Sequence, residues 1–148
     1  MIKFRMNVLF VCHANLNRSP RAAEVFRKLA DQRGLDVEVQ SAGTNAWARD
    51  WDPEALRREY GVSSTTQLTR DMLKKTDIVV ALDNFVEEEI RLCYKVTPKN
   101  MIILDVEDRY TLKYRNLDAL YEILNQKLEP LVEKISLLER KHRGKESV

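Results

Sequence analysis

Short apolar runs recur along the chain and alternate with segments whose apolar residues have helical spacing. Residues 7–11, 78–82 and 101–104 are continuous apolar runs, and residues 37–39 form a short alternating run. Continuous runs of this length are typical of strands that are buried on both faces of a sheet. The pattern therefore predicts an α/β fold, with a parallel sheet covered by helices on both faces.

Helix-start and helix-stop residues delimit the helical segments. Ser19 followed by proline predicts a helix start with Ser19 as the N-cap, and Gly34 is placed to end that helix. Thr69 predicts the N-cap of a short helix. The longest helix carries a stripe of leucines and contains Pro130, which predicts a kink or a split because proline removes a backbone donor.

Length and composition fit one globular domain. The chain has 148 residues, of which 44% are hydrophobic and 32% are charged, with a net charge of +2. This balance excludes a disordered chain and gives no sign of a nucleic-acid partner. We expect residues 1–140 to form a single domain and residues 141–148 to form a charged, frayed tail. The apolar runs are too short to span a membrane and no signal-peptide pattern is present, so a cytoplasmic location is expected.

The chain has two cysteines, Cys12 and Cys93. Two are too few for a disulfide framework, and no Cys/His spacing predicts a metal site. In a reducing compartment both are free thiols. Cys93 follows Arg-Leu at the end of a predicted helix, where a packed thiol is the simplest interpretation.

Cys12 begins a loop that joins the first predicted strand to the first predicted helix. In a parallel sheet ligands bind at the carboxyl ends of the strands, and the segment 105–108, with three acidic residues, follows the fourth strand at that same edge. Backbone N–H groups of such a loop, together with the helix N-terminus, favour a bound dianion and a thiolate. The predicted phosphate-binding residues are His13, Ala14, Asn15, Leu16, Asn17, Arg18 and Ser19.

Three side chains of this loop have predicted roles. Arg18 offers a planar fork to two phosphate oxygens, and its position at a helix start suggests that an anion compensates its charge. Ser19 is placed to donate a hydrogen bond to the Cys12 sulfur, and Asn15 to hold the shape of the loop. Cys12 alone would be read as a buried apolar residue, but its combination with Arg18 and a helix start favours a nucleophile.

The segment VLFVCHANLNRSP resembles the signature of the low-molecular-weight protein tyrosine phosphatase family, Cys-x5-Arg-Ser followed by Pro. Residues 40–44 also match the family, and the resemblance runs over nearly the whole chain. It implies a three-layer fold of the phosphotyrosine phosphatase I type, with a four-stranded parallel sheet. It also implies hydrolysis of phosphotyrosine or other aryl phosphates through a phosphocysteine, with no metal and no cofactor. Trp47 and Tyr110 would line the substrate cleft.

The same resemblance implies a general acid after the fourth strand. Asp108, followed two residues later by Tyr110, best matches the family's Asp-Pro-Tyr segment, with Arg109 in place of the proline. Asp105 is the second candidate. Without Cys12, this segment would be interpreted as an acidic surface loop.

The chain departs from the family at several loop positions. Asn17 replaces a second cysteine that could protect the nucleophile as a disulfide, so Cys12 is expected to oxidise more readily. Ala14 replaces a common glycine. His13 is expected at the rim of the site, where it affects substrate choice rather than catalysis.

Two other functions remain open at this point. Arsenate reduction on the same loop would need further thiols to relay a disulfide, and Cys93 is the only other cysteine. A phosphate- or phosphotyrosine-binding module would need no turnover, and Ala14 and Arg109 keep that hypothesis open. The expected partner is a phosphotyrosine protein or a small aryl phosphate, and the expected state is a monomer or a weak homodimer.

Overall fold

The computed structural model describes residues 5–107 and 117–146. Within these ranges the strands are β1 (Met6–Cys12), β2 (Val37–Gly43), β3 (Ile78–Ala81) and β4 (Met101–Ile103). The α-helices of the same ranges are α1 (Arg18–Gln32), α2 (Pro53–Tyr60), α3 (Arg70–Lys75), α4 (Asn84–Glu89) and α5 (Leu117–Glu146). A π-helical turn, Ile90–Tyr94, continues α4.

The strands form one parallel sheet in the order β2-β1-β3-β4, which confirms the predicted four-stranded parallel sheet. The strand β2 is longer than its apolar run of 37–39, because its backbone stays paired with β1 until Cys12 lies opposite Gly43. The chain places β2 on one side of β1 and β3 on the other. The carboxyl ends of β1 and β3 therefore border the point where strand order reverses, which is the usual ligand position in such sheets.

The two faces of the sheet are covered by different helices. Alternate residues of β1 divide between two apolar clusters, with Phe10 and Cys12 on the side of α1 and α5, and Val11 on the side of α3 and α4. Period-two alternation along a strand produces this division. The helices on both faces confirm the predicted three-layer architecture.

The start of α1 corrects one prediction. The helix begins at Arg18 with Asn17 as its N-cap, so the prediction that Ser19 is the N-cap is wrong. The Ser19 hydroxyl contacts the Cys12 sulfur, and its side chain is therefore committed to the loop rather than to the helix end. Arg33 is the C-cap of α1 and Gly34 follows it in the left-handed conformation, so the helix ends next to the glycine that was predicted to end it. Thr69 caps α3 as predicted, by accepting a hydrogen bond from the Met72 N–H.

The C-terminal helix α5 is continuous through Pro130, so the helix is not split at the proline. It packs against α1, and its fully buried residues include Leu120, Leu124, Leu128 and Ile135. Residues 141–146, which were expected to be a frayed tail, continue this helix. Within the described ranges, none of the helices has the length and hydrophobicity needed to cross a membrane.

Candidate active site

The Cys12 sulfur lies at the end of β1, among polar groups of its own loop. The Asn15 N–H donates to the sulfur at 3.3 Å, and the Ser19 Oγ lies 3.0 Å from it. Asn15 Nδ2 donates to the same Ser19 oxygen at 2.8 Å, which leaves the hydroxyl proton for an acceptor. The sulfur is nearer to that hydroxyl than the Ala42 carbonyl, which is 3.4 Å away. These donors favour negative charge on the sulfur.

Asn15 supports the tight turn of the loop. Its φ is +59°, a left-handed conformation that asparagine tolerates better than most residues. Its side chain is buried, accepts from the Thr66 N–H at 2.8 Å and donates to Ser41 Oγ at 3.0 Å. Ala14 is not among the residues with positive φ, so the change from the family's common glycine to Ala14 needs no unusual backbone conformation.

Arg18 is buried at the first position of α1 and is held by groups from two other strand ends. Its Nη1 donates to Asp83 Oδ2 at 2.6 Å and to the Val106 carbonyl at 2.9 Å. Asp83 directly follows β3 and Leu82, and its other carboxylate oxygen caps α4 by accepting from the Val86 N–H. The Asp83 carboxylate therefore compensates the positive charge of Arg18 at the start of α1. From the sequence, this compensation was expected from a bound anion.

Asp83 is a site residue that the sequence analysis missed. The available signal was its position, because it follows a buried strand and so lies at the same sheet edge as Cys12. Its contact with Arg18 spans 65 residues. Such a contact cannot be inferred from local spacing.

Gly43 lies against the backbone of the loop that follows Cys12. A Cβ at this position would be 2.6 Å from the His13 carbonyl oxygen and under 3 Å from backbone atoms of Ala14 and Asn15. The next two residues bond the loop directly, because Thr44 N–H donates to the Cys12 carbonyl and Asn45 N–H donates to the His13 carbonyl. The close approach of β2 to the loop therefore requires glycine.

Replacing Gly43 with alanine should destabilise the protein by about 1–3 kcal/mol, because the new methyl group overlaps backbone atoms that cannot rotate away. The urea midpoint measures this change. Gly144→Ala is the matched control, since Gly144 lies in α5 with nothing within 4 Å of the added Cβ. The control should leave stability unchanged or raise it. Equal stability of the two variants would contradict the steric account.

His13 lies at the rim of the site and faces α4. Its Nδ1 is 3.3 Å from both Glu89 Oε1 and Thr44 Oγ1, and the Thr44 hydroxyl donates to Glu89 Oε1 at 2.9 Å. Its side chain is 44% exposed, and its ring centroid lies 6.3 Å from that of Phe85. These contacts direct the Nδ1 side of the ring toward α4.

A polar network behind the rim fixes the segment after β2. The Thr44 carbonyl accepts from the Tyr94 hydroxyl at 2.7 Å and from Gln67 Nε2 at 2.9 Å, while Gln67 Oε1 accepts from the Ala46 N–H. Burial raises the pKa of Tyr94 above its ordinary value, which extends the alkaline range over which its hydroxyl stays protonated and can donate. Gln67 and Tyr94 were not predicted from the sequence as supports of the site.

A cleft of about 520 Å³ opens above the loop. Aromatic side chains form part of its wall: Trp47 is half-exposed and lies edge-on to Tyr60, with ring centroids 6.1 Å apart. Trp51 contacts both rings. The described residues that line the cleft are Cys12, His13, Ala14, Leu16, Asn17, Arg18, Arg21, Trp47, Arg57, Arg58, Glu59, Tyr60, Gly61 and Leu117.

Of the two candidate general acids, Asp105 lies within the described residues. Asp108 and Tyr110 lie outside the described residues. Asp105 is exposed and has a φ of +61°, and its carbonyl accepts from Lys127 Nζ at 2.6 Å. Val106 is buried and its carbonyl accepts from Arg18, so the segment that follows β4 passes beside the start of α1.

The second cysteine, Cys93, does not line the cleft. Cys93 is exposed in the π-helical turn, so the prediction of a packed thiol is wrong; Ile90 carries the buried position of that turn. Both cysteines are free. In the part of the chain that the structure describes, no group of three His, Cys, Asp or Glu side chains could hold a metal ion.

Comparison with known proteins finds similarity to phosphatases. A family model described as low molecular weight phosphotyrosine protein phosphatase matches residues 7–142. The low molecular weight protein-tyrosine-phosphatase YfkJ of Bacillus subtilis is 37% identical over 89 residues, which are 53% of this chain and 56% of that protein. The protein-arginine-phosphatase of the same organism is 34% identical over 83 residues, 52% of this chain and 55% of that protein. The matched region thus spans about half the length of these curated relatives.

A solved structure matches over a larger share of the chain. The low molecular weight protein tyrosine phosphatase from T. tengcongensis has 29% sequence identity and a TM-score of 0.70. The match covers 87% of this chain and 99% of that protein.

Proposed function

This chain belongs to the low molecular weight phosphotyrosine protein phosphatase family, and we propose that it hydrolyses phosphotyrosine or other aryl phosphates through a phosphocysteine on Cys12. The observation that carries the proposal is the environment of the Cys12 sulfur. That sulfur contacts the Asn15 N–H and the Ser19 hydroxyl at the foot of a cleft that Arg18 also lines. Such donors favour a thiolate nucleophile and a bound dianion.

In the first step the Cys12 thiolate attacks phosphorus in line with the leaving oxygen. The S–P bond forms, the P–O bond to the leaving group breaks, and Asp108 gives its proton to the departing phenolate. Backbone N–H groups of residues 13–18 and the Arg18 guanidinium hold the equatorial oxygens, where charge shifts during transfer. The contacts of Arg18 Nη1 with Asp83 and Val106 fix the plane of the guanidinium for this task.

In the second step a water molecule attacks the phosphocysteine. Asp108, now a carboxylate, takes a proton from the water, the S–P bond breaks and inorganic phosphate forms. The departing sulfur regains negative charge. The Ser19 hydroxyl, 3.0 Å away, and the Asn15 N–H, 3.3 Å away, are placed to stabilise it.

The cleft favours an aryl leaving group. Trp47 and Tyr60 present aromatic surface along its wall, and Leu16 adds apolar surface next to the loop. Aromatic side chains pack well against a flat ring. One relative is named as a protein-arginine-phosphatase, and its type of substrate would place a guanidinium in the cleft. Four arginines line the cleft here, so repulsion between positive charges disfavours that substrate.

A cytoplasmic location and a monomeric or weakly dimeric state are part of the same proposal. A thiolate nucleophile needs a compartment that keeps Cys12 reduced. The absence of a second cysteine from the loop strengthens that need, because Asn17 cannot form a protective disulfide.

The experiment that tests the proposal measures hydrolysis of phenyl phosphate and p-nitrophenyl phosphate by the wild type, Asp108→Asn and Asp105→Asn. We expect Asp108→Asn to lower kcat on phenyl phosphate by about 100- to 1,000-fold, because phenolate is a basic leaving group that needs a proton. The loss on p-nitrophenyl phosphate should be smaller. Asp105→Asn is the matched control and should change kcat by less than about threefold.

Other outcomes would replace parts of the proposal. A large loss in Asp105→Asn alone would make Asp105 the acid. Phosphate or vanadate binding without any turnover would favour a binding module. Reduction of arsenate with an added thiol, but no hydrolysis of aryl phosphates, would favour the reductase. Hydrolysis of a phosphoarginine peptide in preference to a phosphotyrosine peptide would replace the aryl substrate class.

A further inference from the structure

Arginine side chains are concentrated along one wall of the cleft. Arg57 and Arg58 lie in the last turn of α2, are exposed, and line the cleft together with Trp47 and Tyr60. Among the described residues that line the cleft, Glu59 is the one acid, at 3.4 Å from Arg58 Nε. This wall therefore carries more positive than negative charge, although the net charge of the whole chain is only +2.

The arginine pair has a fixed position relative to the phosphate-binding loop. Buried Leu56 anchors α2, and the helix ends at Gly61 in the left-handed conformation. Arg21, buried in α1, donates to the Tyr60 carbonyl at 2.9 Å and to the carbonyls of Leu16 and Asn17 at 3.3 Å. Arg21 thus ties the end of α2 to the loop that begins at Cys12.

The loop and Arg18 already supply the donors that a phosphate needs. Arg57 and Arg58 come from a different element and lie along the wall that an entering side chain would pass. A phosphotyrosine in the cleft would bring its neighbouring residues close to this wall. Exposed cations at such a position attract carboxylates of a ligand and accelerate its association.

We propose that Arg57 and Arg58 form a subsite for acidic residues that flank the phosphorylated tyrosine. The preferred substrate class is then a phosphotyrosine segment with Asp or Glu beside the tyrosine. This inference rests on the proposed function, because it names the substrates of the same cleft.

The test compares peptides that share one phosphotyrosine core and differ only in having Glu or Gln at the two positions on each side. For the wild type, we expect kcat/KM to be about fivefold higher for the Glu peptide, since two exposed ion pairs contribute modestly. The ratio should approach 1 in Arg57→Gln/Arg58→Gln, whatever the overall rate. Raising the salt concentration should lower the wild-type ratio as well.

Arg70→Gln/Lys74→Gln is the matched control, because it also removes two exposed positive charges, from α3 and away from the cleft. It should keep the wild-type ratio. Equal kcat/KM for the two peptides, with p-nitrophenyl phosphate still hydrolysed, would overturn the subsite while leaving the proposed function intact. An equal loss of the ratio in the control would also overturn it, because the effect would then come from net charge. No hydrolysis of any aryl phosphate would overturn the proposed function itself.

Discussion

Replacing Cys12 with serine should lower kcat on aryl phosphates by at least about 10,000-fold while phosphate still binds. The serine hydroxyl is a far weaker nucleophile than a thiolate, and removing a covalent nucleophile costs losses of this order or more. The backbone N–H groups of the loop and the Arg18 guanidinium are unchanged. The variant should therefore retain the anion site and lose only the chemistry.

Two measurements check this prediction. Turnover of p-nitrophenyl phosphate gives kcat, and protection of the variant against thermal unfolding by phosphate or vanadate reports binding. Cys93→Ser is the matched control and should keep wild-type activity, because Cys93 is exposed and does not line the cleft. Substantial turnover by Cys12→Ser would mean that the nucleophile is a different group.

Arg18→Lys should lower kcat/KM by about 1,000-fold, although the positive charge is kept. A lysine ammonium cannot reproduce the planar fork that would hold two phosphate oxygens, and any contact it keeps with Asp83 and Val106 uses the same nitrogen that would have to face the phosphate. Part of the loss in kcat/KM comes from weaker stabilisation of the charge on the equatorial oxygens. Removing one donor from an oxyanion hole lowers the rate by about 100- to 1,000-fold, or about 2.7–4 kcal/mol. Disturbance of Asp83 adds to it.

The control for this prediction lies on the same helix. Arg27 donates to the Val39 carbonyl at 2.8 Å on the outside of α1 and does not line the cleft. Arg27→Lys should change kcat/KM by less than about twofold. If Arg18→Lys stayed within tenfold of the wild type, a charge alone would suffice at this position and the bidentate model would be wrong.

The architecture was readable from the sequence because parallel strands covered on both faces leave continuous apolar runs. The runs at 7–11, 78–82 and 101–104 each overlap a strand of the sheet. Only the first part of the second strand, residues 37–39, was predicted from the sequence. Gln40 and Ser41 interrupt its apolar pattern, yet their backbone pairs with Leu9 and Phe10 as β2 continues to Gly43.

The loop from Cys12 to Arg18 could be located from the sequence because its residues are consecutive and connect a predicted strand to a predicted helix. The residues that support this loop could not be located in the same way, because they come from segments that are distant in the chain. Asp83 reaches Arg18 only after β1 and β3 have paired, and Gln67 and Tyr94 meet behind Thr44 only in the folded chain. The prediction that Ser19 is the N-cap was wrong, whereas the expected contact of its hydroxyl with the Cys12 sulfur is present. The same hydroxyl can bond a helix end or a neighbouring sulfur, and the loop conformation decides between them.

The two contacts of Arg18 also couple the site to the global stability of the chain. They join residues 65 and 88 positions apart, and so exist only when the ends of β1, β3 and β4 have been brought together. An oxyanion bound beside Arg18 consequently recognises the native state alone. By mass action, phosphate at 100 times its dissociation constant would add about 2.7 kcal/mol to the free energy of unfolding. If phosphate binds at this loop as proposed, a rising phosphate concentration should therefore lower the fraction of unfolded chain that a protease can cleave.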